Sequence, residues 1–147
     1  MNVEIHVPGE PVPKARPRVT FHGTYTPERT KRYEELVQWC WVQQSGYRYP
    51  DDQPLSVSVI AKYAMPKSWS KKKREELRGT PRIFKPDIDN VIKAATDALI
   101  DHAYKDDSRI IHVQGVKVWS DESELIIYIN DDGAEWLTGC PKKILDQ

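Results

Sequence analysis

Six acidic residues and two lysines fall between Asp87 and Asp107, and the segment opens with Lys85-Pro86-Asp87-Ile88-Asp89-Asn90-Val91-Ile92-Lys93. Carboxylates at i and i+2 in an extended segment point to one side. A third, returned by the turn after a helix, would complete a set of hard oxygen donors of the kind Mg²⁺ takes. Asp87, Asp89 and Asp107 are the expected ligands. Asp106 is the neighbouring alternative, because adjacent residues after a turn face different sides. A divalent cation held there suits phosphodiester hydrolysis: it lowers the pKa of water, neutralises phosphoryl oxygens and stabilises a leaving alkoxide. Lys93, one helical turn after Asp89, could neutralise the phosphoryl oxygens or protonate the leaving group.

The same residues have a purely structural reading. Asp87 or Asp89 can cap a helix, Asp89-Lys93-Asp97 can form a solvated ion-pair ladder, and Lys105-Asp106-Asp107 can be a turn. An EF-hand is excluded, because counting from Asp87 its glycine position is Ile92 and its closing glutamate position is Ala98. A glycosyltransferase-type Asp-x-Asp would follow a buried strand, and Ile83-Phe84-Lys85-Pro86 makes a poor one.

The elements that must position this cluster can be read from periodicity. Val3 to Val7 alternates apolar and polar residues and ends at Pro8-Gly9, which predicts a half-buried strand. Glu10 to Thr26, dense in proline, is a loop or loose hairpin. Thr26 as cap and Pro27 at the first helical position open a helix whose core stripe is Tyr33, Leu36, Val37, Cys40 and Trp41, with Trp39 outside it and Gly46 ending it. Leu55, Val57, Val59, Ala61 and Tyr63 mark a second strand. Ser68 to Arg78 is a short exposed helix or mobile arm, expected to be disordered without DNA. A second main helix runs from about Asp89 to Asp101 with Val91, Ile92, Ala95 and Leu99 inward. Arg109 to Val118 and Glu124 to Ile129 read as the two strands of an antiparallel hairpin. The order β-α-β-α-β-β predicts an α+β fold, a mixed sheet with two main helices packed on it plus the lysine-rich helix or arm, as a single domain over 1–147.

Composition places the chain among globular proteins. It has 147 residues, 39% apolar and 30% charged, and no apolar run near the ~20 residues a bilayer requires. The start of the chain reads as a strand rather than an export signal, which predicts a cytoplasmic location. Cys40 and Cys140 lack metal spacing and read as free thiols. Net charge is zero, but it is segregated. From Lys62 to Lys85 nine basic residues face two acidic ones, whereas Asp87 to Asp107 and the chain after Lys117 are acidic. A basic surface beside an acidic pocket fits a metal-dependent nuclease.

Taken together, Pro86-Asp87-Ile-Asp89-Asn90-x-x-Lys93-x-x-x-Asp97-Ala-Leu99, then Asp106-Asp107, then a strand from Arg109 to Lys117, resembles the RusA-type Holliday-junction resolvases (crossover junction endodeoxyribonucleases) of bacteria and their phages. The likeness covers Lys85 to Lys117 most specifically. Pro11-x-Pro13-Lys14-x-Arg16-Pro17-Arg18 and Tyr25-Thr26-Pro27 are similar to many members, and the lysine-rich 68–80 segment looks like an addition. The resemblance implies a RusA-like fold and a homodimeric, Mg²⁺-dependent endonuclease, with Mn²⁺ able to substitute, that nicks two opposed strands of a four-way DNA junction in recombination and repair. It places the essential acids on Asp87, Asp89 and Asp107 and the functional lysine on Lys93. Paired symmetric cuts need two active sites, which a two-fold dimer of small domains supplies.

DNA contact is expected at Lys14, Arg16 and Arg18, which alternate in an extended segment and would project together toward phosphates. Lys72 and Lys73 are expected contacts too, although a lysine run is often only a solvated face. Trp69, beside that run, could stack on an unpaired base. His6, His22, His102 and His112 have no ligand spacing. Two other readings stay open: a non-catalytic DNA-binding protein of a phage or mobile element, in which the acids are helix caps, and a nuclease for flaps or other branched DNA.

Overall fold

The computed structural model describes residues 1–16, 18–25 and 27–131, with Arg18 and Tyr25 described by backbone alone. Pro17, the proposed cap Thr26, Cys140, Trp136 and the rest of the tail after Asp131 lie outside the described residues. Strands β1 (Val3–Pro8), β4 (Leu55–Ala64), β5 (Ile110–Ser120) and β6 (Glu124–Asn130) form one mixed sheet, and β2 (Arg18–Thr20) and β3 (Gly23–Tyr25) form a small hairpin. The helices are α1 (Glu28–Gln44), α2 (Lys71–Leu77) and α3 (Ile88–Ala98), with a 3₁₀ turn at Asp107–Arg109. The α+β class and the mixed sheet agree with expectation, and the proline-rich stretch holds the loose hairpin.

Strand pairing departs from the expected hairpin. The sheet order is β1-β6-β4-β5, so β5 and β6 do not pair with each other but flank β4, β5 parallel to it and β6 antiparallel. The short turn between them crosses over the end of β4, where Met65 N–H donates to Ser120 O (2.9 Å) and Ala64 N–H to Ser123 Oγ (2.8 Å). A three-residue gap suits a tight hairpin, but β4 is apolar on the helix side along its whole length and takes the central place, where burial is greatest. Local turn length was outweighed by that burial.

Each strand sends alternate residues to the helices. Across the middle of the sheet Ile5, Ile127 and Val59 form a buried row that ends on β5 at Gly115. The missing side chain at Gly115 is replaced by α3: a Cβ built there would lie 2.8 Å from Ile92 Cδ1 and 3.1 Å from Ile88 Cγ1. Helix α1 buries Tyr33, Val37, Cys40 and Trp41 of the expected stripe against β1 and α3, with Thr30 added and Leu36 only half-buried, while Trp39 is exposed. Pro27, rather than Thr26, stands at the cap position of α1. On α3, Val91, Ala95 and Leu99 are buried as expected and Ile92 is half-buried, with Ala94 and Thr96 also inward. No helix among the described residues is long and apolar enough to cross a membrane.

The lysine-rich segment forms the short exposed helix that was one of the two expected forms, and it is tied to the end of the sheet. Ser70 caps α2 through its side chain, accepting from Lys73 N–H. Trp69 packs edge-on against Trp119 with ring centroids 4.9 Å apart, and Arg78 pairs with Asp121 at 2.8 Å. Trp69 is therefore engaged with β5 and with Lys73, whose ammonium lies 4.2 Å from its ring centroid, rather than presented for base stacking. These anchors fall outside any helical periodicity, so composition alone gave no sign of them.

Candidate active site

The loop that delivers Asp87 is held by two cations. Lys117 Nζ on β5 donates to Phe84 O (2.7 Å) and Pro86 O (2.8 Å), and Arg82 Nη1 donates to Phe84 O (3.1 Å) and Lys85 O (2.6 Å). The Arg82 guanidinium also lies 4.2 Å from the Tyr63 ring centroid. Carbonyls that would otherwise face solvent thereby become part of a fixed frame.

Asp87 occupies the cap position of α3 but does not cap it with its side chain. Its Oδ1 takes Lys85 Nζ at 2.9 Å, and that ammonium, with Lys117 further off, holds the carboxyl below the ordinary Asp range. Asp89, in the first turn, accepts from Asn90 N–H (2.9 Å) and has no ion-pair partner among the described residues. An exposed carboxylate there is stabilised by the positive end of the helix. The ladder of the structural reading is thus only half formed, because Lys93 turns away from Asp89.

Lys93 Nζ lies 3.0 Å from Asp97 Oδ1 and 3.7 Å from Asp107 Oδ2. Asp97 first, and then Asp107, hold its pKa above the ordinary lysine value, so it is a fixed cation and not a base. Asp107 reaches it because the chain turns sharply after α3. Asp101 adopts φ 67°, a left-handed conformation that Asp tolerates, and Asp101 N–H donates to Tyr104 O at 2.7 Å. The buried Tyr104 hydroxyl donates to Thr96 O, and Arg109 Nε donates to Asp51 O at 2.7 Å, fixing the 3₁₀ turn from both sides.

Of the adjacent pair, Asp107 faces α3 and Asp106 does not: Asp106 accepts from Ser108 Oγ at 3.3 Å. The Asp106 carboxylate beside it and partial burial push the Asp107 carboxyl above the ordinary range, against the pull of Lys93. Asp107 is the more enclosed of the two and also feels Asp97.

The structure therefore brings Asp107, Lys93 and Asp97 together and sets Asp89 one turn away on the same face of α3, with Asp87 at the helix entry. Among the described residues no three His, Cys, Asp or Glu side chains stand as a ready cation cage. The donor chemistry still fits a divalent cation. The donors are hard oxygens, Asp89 forms no ion pair among the described residues, and Asp107 carries the raised pKa of a carboxyl crowded by like charge.

Residues 8–130 match the family model of the endodeoxyribonuclease RusA. The chain belongs to the RusA family. The match takes in the whole frame just described, from the end of β1 to the end of β6. An uncharacterized protein of Bacillus subtilis (strain 168), YqaN, is 31% identical over 140 residues, spanning 90% of this chain and 98% of its own. RusA proteins are endodeoxyribonucleases, so the bond acted on is a DNA phosphodiester.

Among the expected DNA contacts, Arg16 is exposed at the mouth of the β2–β3 hairpin, and the Arg18 side chain lies outside the described residues. Lys72 is exposed on α2 beside Lys73. Lys14 behaves differently. Its ammonium pairs with Glu34 on α1 and lies 3.6 Å from Asp97 Oδ2, with only 21% of its side chain exposed. His102 sits exposed on the turn after α3. Sequence reasoning missed Glu34, Arg82 and Lys117, which lie on three other segments and share no spacing with the acids.

Proposed function

We propose that this chain is a divalent-metal-dependent endonuclease that resolves four-way DNA junctions by paired symmetric nicks, acting as a homodimer. The observation that carries the reading is Asp107 meeting Lys93 on the face of α3 that bears Asp89. Asp87, Asp89 and Asp107 would hold the cation, Mg²⁺ or in its place Mn²⁺, with Asp106 as the reserve donor. When bound, that cation supplies an activated water and offsets charge on the phosphoryl oxygens and leaving alkoxide. Lys93, kept protonated by Asp97 and Asp107, places a permanent positive charge beside the scissile phosphate. Arg16, Arg18, Lys72 and Lys73 would bind the DNA backbone. The products carry 5′-phosphate and 3′-hydroxyl ends.

Cleavage of a synthetic four-way junction, compared at equal salt with fork, flap and linear duplex, tests this. The expected result is Mg²⁺-dependent, symmetric nicking of the junction above all, which Asp89→Asn abolishes while junction binding persists. Preference for flaps would shift the substrate to other branched DNA. Binding with no cutting in Mg²⁺ or Mn²⁺ would favour a non-catalytic DNA-binding protein instead. A strictly monomeric species that still made paired cuts would remove the dimer.

A further inference from the structure

Lys14 has the position of a DNA contact in the sequence and the surroundings of a half-buried tie in the structure. Its backbone N–H donates to Asn90 O in α3 at 2.8 Å, and the next residue, Ala15, donates to Thr30 Oγ1 of α1 at 3.3 Å. The loop is thus pinned between the two main helices, with Pro11 and Val12 buried behind it. Glu34, Lys14 and Asp97 have side chains only 19%, 21% and 16% exposed, whereas Lys93 is 54% exposed. Charge alternates along the chain of contacts from Glu34 through Lys14, Asp97 and Lys93 to Asp107.

Asp97 is the pivot. It gives one carboxylate oxygen to Lys14 and the other to Lys93. With Lys14 in place, only one of its oxygens is available to Lys93, so the Lys93 ammonium remains extended toward Asp107. Without Lys14, both oxygens are open to Lys93, and the exposed lysine folds back along α3, away from Asp107. Partners that orient a functional group without touching the substrate commonly govern its effectiveness in this way.

We infer that Lys14, held by Glu34, is a positioning residue that acts through Asp97 to keep Lys93 directed at Asp107, and is not a phosphate contact. The inference rests on the nuclease reading for its activity arm alone. Three quantities are measured on the full chain carrying Lys14→Met: junction affinity and its salt dependence with Ca²⁺ in place of Mg²⁺, the single-turnover cleavage rate at saturating enzyme, and the Lys93 Cε resonance of ¹³C-lysine-labelled protein.

The expected result is unchanged affinity and salt slope, a cleavage rate lower by about 10- to 100-fold, a shifted Lys93 resonance, and recovery of most of the rate in Lys14→Arg. A fall in affinity with a salt slope smaller by about one, at an unchanged saturated rate and an unmoved Lys93 resonance, would overturn it. Should Lys14→Met leave Glu34 unpaired and the fold weakened, Lys14→Met/Glu34→Leu removes that charge and is expected to show the same slow cleavage and the same resonance shift. A wild-type chain that cuts no branched DNA would remove the nuclease reading, and the Lys93 resonance would still decide the role of Lys14.

Discussion

Lys93 Nζ stands 3.7 Å from Asp107 Oδ2, so the charged face of α3 and the turn before β5 meet at a single ammonium group. Lys93 ties the two acidic segments of the site together through Asp97 and Asp107. Replacing it by methionine keeps the stem and removes the charge. The expected outcome is a loss of about 10²- to 10³-fold in single-turnover cleavage with junction affinity nearly unchanged, read by quenched-flow kinetics and fluorescence anisotropy.

Gly115 sets how closely α3 lies on the sheet. Gly115→Ala puts a methyl 2.8 Å from Ile92 Cδ1 and 3.1 Å from Ile88 Cγ1. The expected cost is about 1–3 kcal/mol, measured by urea denaturation. Because Ile88 lies between Asp87 and Asp89, cleavage should fall by more than the loss of folded protein explains.

The site acids respond to pH with opposite signs. The pKa of Asp107 is raised in the folded chain, so its protonated form contributes stability below the ordinary Asp value of about 3.9, and this is lost as pH rises through the higher folded value. The pKa of Asp87 is lowered by Lys85, so its contribution is present above the ordinary value and is lost as pH falls through the lower folded one. In metal-free protein at pH 7, Asp107→Asn should therefore raise stability slightly, by at most about 0.5 kcal/mol given an exposed side chain, and Asp87→Asn should not. Denaturation curves at pH 4 and pH 7, each with and without Mg²⁺, check this, with Mg²⁺ stabilising the parent chain and not Asp107→Asn.

Much of this was legible in the residues. The period-two run from Leu55 and the stripes of α1 and α3 appear where apolar spacing put them, because burial on one face dictates both. The meeting of Lys93 with Asp107, and Asp89 one turn before Lys93 on α3, were legible in the order of these residues along a helix start and a following turn. What stayed hidden depended on contacts between distant segments. The insertion of β6 beside β1, Lys117 beneath the Asp87 loop, the edge-on packing of Trp69 against Trp119, and the inward turn of Lys14 to Glu34 have no spacing rule.

The two lysines proposed on α2 are expected to part company on mutation. Lys72 is exposed, so Lys72→Ala should weaken junction binding and reduce the salt slope by about 0.9, with unchanged thermal stability. Lys73 lies over Trp69, so Lys73→Ala should add a small drop in melting temperature, about 0.5–1 kcal/mol for an exposed cation–π contact. Anisotropy titrations across a salt series and differential scanning calorimetry separate the two effects.

The central claim is that Asp87, Asp89 and Asp107 grip one divalent site. Anomalous scattering from crystals grown with Mn²⁺ tests it most directly. The account predicts a strong peak within about 2.0–2.3 Å of carboxylate oxygens from all three, lost in Asp107→Asn. A peak bound elsewhere, or one held by Asp87 and Asp89 while Asp107 keeps its place beside Lys93, would contradict it.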